Sequence, residues 1–216
     1  MKNLYLNTVS NDLLQALNKL MQMEEFNPFR LVGGTALSLQ LGHRISVDID
    51  LFTDKLYGSV DFVIIDDLLE KTFPFTNMSY AGNQSFGKSY HIGNSQETSV
   101  KLDLYYTDAF IRPIVEKDFL RMASIEEIAA MKMEVIGNGG RKKDFWDVHE
   151  LLDYLSLEQM LTLHAERYPY SHSKATLIKK LTDFQLADTV ADPICLKGKF
   201  WELIKVDFNE IVQNAK

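Results

Sequence analysis

Cysteine is nearly absent: the 216-residue chain has one, Cys195, which excludes an internal disulfide framework and has no partner at zinc-ligand spacing. It reads as a small apolar filler near the C-terminal region. Long hydrophobic runs are missing too, because no stretch approaches the roughly 18 consecutive apolar residues of a membrane span. The opening Met1-Lys2-Asn3-Leu4-Tyr5 has no apolar core of signal-peptide length, and the expectation is a cytoplasmic protein with no membrane role. Positive charge is also in deficit. A net charge of −7 excludes strong non-specific attraction of the whole molecule to nucleic acid, and leaves room only for a local basic patch. Lys88, Lys101, Lys132, Arg141, Lys142 and Lys143 supply such a patch if the fold gathers them. What remains is ordinary for a soluble globular protein: 46% hydrophobic and 25% charged residues, enough for one large domain or two small ones.

Apolar spacing divides the chain. Ser10 or Asn11 caps a first helix with Leu13, Leu14, Leu17, Leu20 and Met21 on one stripe. A connector around Pro28 leads to a short buried strand at Leu31-Val32, then to a helix over 35–41 closed by Gly42-His43. A strand at 47–52 and a helix over 59–72 follow. Segments 78–80, 89–92 and 99–106 read as strands broken by Gly82-Asn83, Gly87 and Gly93-Asn94. After Arg112-Pro113 the pattern predicts helices to the end, with capping boxes at Ser124–Glu127 and Ser156–Gln159 and helices over 143–155, 173–184 and 199–213. The expectation is an α+β chain: a mixed β-sheet with flanking helices over residues 1–115, then a helical bundle over 116–216.

The chemistry concentrates in three places. Gly33-Gly34-Thr35 opens a helix, allowing close backbone approach and offering free amides to phosphate oxygens. In Val47-Asp48-Ile49-Asp50-Leu51-Phe52 the period of two sends Val47, Ile49 and Leu51 one way and both aspartates the other. Two like charges on an otherwise apolar strand repel each other, and a divalent cation removes that penalty. Lys101, Asp103 and Tyr105 share a face of a similar strand, so Asp103 becomes a third carboxylate if the two strands are neighbours. Three carboxylates then hold two Mg²⁺ ions, roughly 3.5–4 Å apart, for in-line displacement at phosphorus. The third place pairs Lys132, amid Ile128, Ala129, Met131 and Val135, with Asp144 and Asp147 on one face of the next helix. Lys132 is expected either to contact a triphosphate or to extend outward to water. Histidines 43, 91 and 149 lie in separate elements without ligand spacing, and Trp146 and Trp201 read as core or interface aromatics.

Together these segments resemble the AbiEii/AbiGii-type nucleotidyltransferase toxins, a branch of the DNA polymerase β-like nucleotidyltransferase superfamily. The resemblance rests on Gly33-Gly34-Thr35-Ala36-Leu37, Arg44-Ile45-Ser46-Val47-Asp48-Ile49-Asp50-Leu51, Lys101-Leu102-Asp103, Lys132 and the run from Lys143-Asp144 to Leu151-Leu152. It covers roughly residues 25–155. It implies a nucleotidyltransferase-like sheet and Mg²⁺-dependent transfer of a nucleoside monophosphate from a nucleoside triphosphate to a hydroxyl acceptor. The acceptor is an RNA end in some relatives, and many relatives are paired with an antitoxin. By motif, Asp48, Asp50 and Asp103 would bind metal and act in catalysis with Lys132 and Asp144. Gly33, Gly34, Thr35, Arg44, Ser46 and Lys132 would meet the nucleotide. Two other readings stay open: a nucleotide-binding module without catalysis, and a transferase acting on a small molecule or a protein.

Overall fold

A computed structural model describes residues 3–78 and 86–214. Helix α1 (Asn11–Met21) is capped by the Ser10 hydroxyl, which accepts from the Leu13 N–H. Its stripe of Leu13, Leu17, Leu20 and Met21 packs on the sheet. Strand β1 (Arg30–Leu31), helix α2 (Gly33–Leu41) and strand β2 (Asp48–Thr53) follow, with Gly42 closing α2 in the left-handed conformation at φ +70°. Helix α3 (Phe62–Thr72) precedes β3 (Phe75–Met78), β4 (Gly87–Gly93) and β5 (Val100–Tyr106). The chain then forms β6 (Val115–Lys117), β7 (Leu120–Met122), α4 (Ile125–Gly137), α5 (Lys142–Leu151), α6 (Leu157–Arg167), α7 (Lys174–Lys180) and α8 (Trp201–Asn214).

The strands make one mixed seven-stranded sheet in the order β3-β4-β5-β2-β1-β7-β6. β2 runs parallel to β5, and β1 parallel to β7; the other pairs are antiparallel. One sheet face carries Ile49, Leu51, Leu102, Leu104, Tyr90 and Ile92, all buried, with α1 packed against β2, β4 and β5. The Tyr90 hydroxyl, donating to Asp66 of α3 at 2.8 Å, finds the partner a buried phenol requires. This apolar face leaves the opposite one to polar groups.

Several expectations are corrected. The chain is not helical from residue 113 onward, because β6 and β7 form a hairpin whose two-residue turn places Asp118 at φ +54°. No glycine or asparagine marks that turn, and each strand is only three residues long, so the alternation was too brief to stand out. Val47 is 64% exposed and precedes β2 rather than joining its apolar face. Helix α3 starts at Phe62, because the Asp61 carboxylate caps it by accepting from the Val63 and Ile64 amides. Helix α5 ends at Leu151 and α7 at Lys180, each earlier than the spacing predicts. The strand expected at 78–80 coincides with β3 only at Met78, and its remainder and the Gly82-Asn83 turn lie outside the described residues.

The Ser156 box forms in full with Gln159, whereas only half of the Ser124 box does. Ser124 accepts from the Glu127 N–H, but the Glu127 carboxylate turns inward. It receives the Ile111 and Arg112 amides at 2.9 and 2.8 Å and the Arg167 guanidinium at 2.5 Å, with both charged groups fully buried. Arg167 also donates to Ala109 O, Asp108 O and Thr107 Oγ1. One satisfied ion pair thus ties the 107–112 connection after β5 to α4 and α6. Removing one partner strands the other charge, so Arg167→Met is expected to cost about 3–5 kcal/mol by urea unfolding. A loss below about 1 kcal/mol would show that the buried pair does not hold this connection.

Candidate active site

The polar sheet face is built by register. Asp50 lies opposite Asp103, and Asp103 opposite Ser89; Asp48 lies opposite Lys101. Partners in register share a face and sit about 4.8 Å apart along the hydrogen-bonding direction. The three aspartates expected to act together are therefore brought to one patch. Phe52 and Tyr105 form the next row, ring centroids 6.1 Å apart.

The diglycine turn sits directly over this row, for a reason specific to each glycine. Gly33 has φ +67°, and a Cβ there would lie 2.6 Å from Asp50 Oδ2. At Gly34 a Cβ would lie 2.2 Å from Arg44 Nη2. Any side chain would displace a site residue, so Gly33 is confined to glycine by packing and conformation and Gly34 by packing alone. Val32 offers no side-chain cap, leaving the first-turn amides of α2 without a partner inside the helix. The Thr35 hydroxyl does not face the cleft. It donates to the Asp48 carbonyl and stands 2.9 Å from Ser46 Oγ; Thr35 is fully buried and, unlike Gly33 and Gly34, does not line the cleft.

Behind the turn lies Asp147, which the spacing grouped with Lys132 and Asp144 but to which it gave no metal, nucleotide or catalytic role. Asp147 has no solvent exposure and receives four charge-assisted bonds. Its Oδ1 accepts from His43 Nε2 (2.7 Å) and Arg44 Nε (2.6 Å); its Oδ2 accepts from Arg44 Nη2 (2.8 Å) and Lys132 Nζ (2.6 Å). Burial favours the neutral acid, yet Lys132 and Arg44 outweigh it and hold Asp147 well below the usual carboxylate range. Burial likewise disfavours charge on Lys132 and Arg44, but Asp147 raises both. Lys132 does not extend to water: its ammonium bridges Asp147 and Asp144, the latter at 2.7 Å. Asp144 also accepts from the Arg141 N–H at 3.0 Å, which fixes the start of α5. From outside, the Ile45 amide donates to Ile194 O and the Leu196 amide to His43 O, so the C-terminal segment braces His43 and Arg44. The sequence signal was the acid three positions after Asp144, one helical turn along the same face.

A cleft of about 290 Å³ opens over the carboxylates. Gly33, Gly34, Arg44, Ser46, Asp48, Asp50, Asp103, Lys101, Lys132, Arg141, Lys143 and Asp144 line it, with Val32, Phe52, Ile128, Met131 and Val135 as an apolar wall. Two members of the expected basic patch are elsewhere: Lys88 pairs with Asp66 at 2.6 Å and Lys142 with Asp192 at 2.8 Å. The histidines are not gathered there either. His43 is buried on Asp147, and His149 pairs with Asp207 at 2.8 Å. Trp146 and Trp201 stack in the helical core, as their composition suggested.

Asp50 is the uncompensated group. Burial, then Asp103 and Asp48, push its pKa up to about 6, with Lys132 only partly opposing them. An acid held this way by neighbouring acids, among hard oxygen donors, suits a divalent cation such as Mg²⁺. Among the described residues, no three His, Cys, Asp or Glu side chains are grouped at ligand spacing as they stand, so the fit lies in donor chemistry and register rather than a preformed cage.

A mixed sheet with this carboxylate row beneath a diglycine helix start defines the nucleotidyltransferase class. A family model described as nucleotidyl transferase AbiEii toxin, type IV TA system, matches residues 15–194. The chain belongs to this family and is a nucleotidyltransferase. It is 26% identical over 218 residues to the uncharacterized protein aq_aa25 of Aquifex aeolicus, covering 92% of this chain and 93% of that one. Among solved structures it is similar in fold to JHP933 from Helicobacter pylori, with TM-score 0.53, 18% identity and coverage of 97% and 90% of the two chains. It is also similar in fold to MenT4, a nucleotidyltransferase toxin from Mycobacterium tuberculosis, with TM-score 0.55, 12% identity and coverage of 93% and 82%.

Asp147 and Asp50 should respond oppositely to neutralisation. Asp147→Asn leaves the buried Arg44 guanidinium without a carboxylate and Lys132 with Asp144 alone, and is expected to cost about 3–5 kcal/mol at neutral pH. Asp50 takes up its proton more readily in the folded protein than in the unfolded one. Metal-free stability therefore falls as pH rises from the ordinary aspartate range to about 6, then levels. Asp50→Asn is expected to remove that slope and to stabilise the metal-free protein by about 1–3 kcal/mol at pH 7.5. Urea titrations in chelator across pH 4.5–8 check both; destabilisation by Asp50→Asn would contradict the assignment of uncompensated charge.

Proposed function

We propose that the protein transfers a nucleoside monophosphate from a nucleoside triphosphate to a hydroxyl acceptor, with Mg²⁺. The observation carrying this reading is the in-register alignment of Asp48, Asp50 and Asp103 beneath the first turn of α2, facing the Lys132–Asp144 corner. Asp48, Asp50 and Asp103 would hold two Mg²⁺ ions, which when bound polarise the α-phosphate and neutralise developing charge. The Gly33 and Gly34 amides receive triphosphate oxygens at the positive end of α2. Lys132 adds positive potential, held in place by Asp144 and Asp147. Arg44 and Ser46 support the turn rather than reach outward. Asp103 orients the acceptor hydroxyl and takes its proton; the acceptor oxygen bonds the α-phosphorus, and the bond to the bridging oxygen breaks to release pyrophosphate.

Residues 1–115 thus carry the carboxylates, and residues 116–216 complete the nucleotide site. Family membership in a type IV toxin–antitoxin system supports a toxic activity countered by a cognate antitoxin, acting in the cytoplasm. An RNA end is the acceptor this reading favours. A smaller acceptor or a protein hydroxyl is the second reading, supported by the net charge of −7 and the diversion of Lys88 and Lys142 to other partners.

Incubation with each α-labelled triphosphate, Mg²⁺ and either total RNA or an RNA-free lysate tests the proposal. Label is expected in one acceptor fraction and should fall at least about 10³-fold in Asp48→Ala. Equal label in wild type and Asp48→Ala would sink the assignment of transfer to this carboxylate row, and no label with tight nucleotide binding by calorimetry would leave a binding module.

A further inference from the structure

The cleft lysines are held in two different ways. Lys132 is buried and shared by two carboxylates. Lys101 and Lys143 are 42% and 33% exposed, on flexible stems, and each rests on a carboxylate of the strand floor. Lys101 Nζ lies 2.5 Å from Asp103 Oδ2, while Ser89 Oγ donates to Asp103 Oδ1 at 2.5 Å, so both oxygens of Asp103 are engaged by the chain itself. Lys143 Nζ lies 3.4 Å from Asp48 Oδ2. Half-exposed pairs of this kind are weak and exchange readily for another anion.

We propose that Lys101 and Lys143 are positioning residues that couple cation binding to triphosphate binding. Without nucleotide their ammonium groups occupy the carboxylate oxygens a cation needs. A triphosphate in the cleft gives both lysines new oxygen partners, drawing them off Asp103 and Asp48 and opening those groups to the metal. The coupling is reciprocal, so each ligand tightens the other by the same factor. Idle occupation by metal alone is thereby disfavoured. This inference rests on the site being a triphosphate site, and it deepens that reading by specifying that cation and triphosphate fill the site cooperatively.

The test uses Mn²⁺ as probe, with free ion read by electron paramagnetic resonance, in the full-length protein with and without an α,β-methylene triphosphate analogue. Wild type is expected to bind Mn²⁺ weakly alone and about tenfold or more tightly with the analogue, after correction for the analogue's own Mn²⁺ binding. The Lys101→Met/Lys143→Met double variant should bind Mn²⁺ about tenfold more tightly than wild type without nucleotide, and should lose most of the coupling. Lys88→Met/Lys205→Met lowers net charge equally at pairs outside the cleft and should leave Mn²⁺ affinity near wild type. Unchanged affinity in the cleft variant, or an equal rise in the control, overturns the coupling alone. Absence of Mn²⁺ binding even with the analogue overturns the triphosphate site itself.

Discussion

Asp147 is a carboxylate without solvent contact, surrounded by His43, Arg44 and Lys132, and the placement of the site depends on it. Burying such a group costs several kcal/mol unless every lone pair is met by a well-aligned donor. Here four donors from two elements, the turn after α2 and α4, converge on an acceptor carried by α5. Hydrophobic side chains of the same volume would fill the space equally well but would not fix Arg44 beneath Gly34 or Lys132 at the cleft wall. The buried charge sets orientation.

That arrangement explains a contrast within the site. Asp147 stays ionised because cations surround it, and it is structural. Asp50 is pushed toward neutrality because acids surround it, and it faces the cleft. Arg44 in the turn after α2 and Lys132 in α4 supply the first kind of environment, and the β2–β5 register supplies the second. Uncompensated charge collects where a ligand of opposite sign would bind. The Glu127–Arg167 pair repeats the structural solution in the first turn of α4, so buried ion pairs tie both the start and the middle of that helix to their surroundings.

Much of this was legible in the sequence. Period-two alternation in 47–52 and 99–106 gave both carboxylate strands and the face they share, because one side of each strand is wholly apolar. Gly33-Gly34 marked the turn, and Ser10 and Ser156 marked helix starts, since these signals are local. What was hidden depends on long-range contact. No local pattern shows that Glu127 abandons its own helix cap for Arg167, or that His43 and Arg44 meet Asp147 over a hundred positions later. The β6–β7 hairpin escaped because its turn residue, Asp118, lacks the usual glycine or asparagine signature. Thr35 was expected at the ligand, yet its hydroxyl braces the Asp48 backbone instead.

The most direct measurement is anomalous diffraction from crystals grown with Mn²⁺ and a non-hydrolysable triphosphate. The assignment predicts manganese peaks bridging Asp48, Asp50 and Asp103, with the triphosphate tail against the Gly33-Gly34 amides. Manganese and nucleotide bound elsewhere, with the carboxylate row still facing only its own lysines, would contradict it.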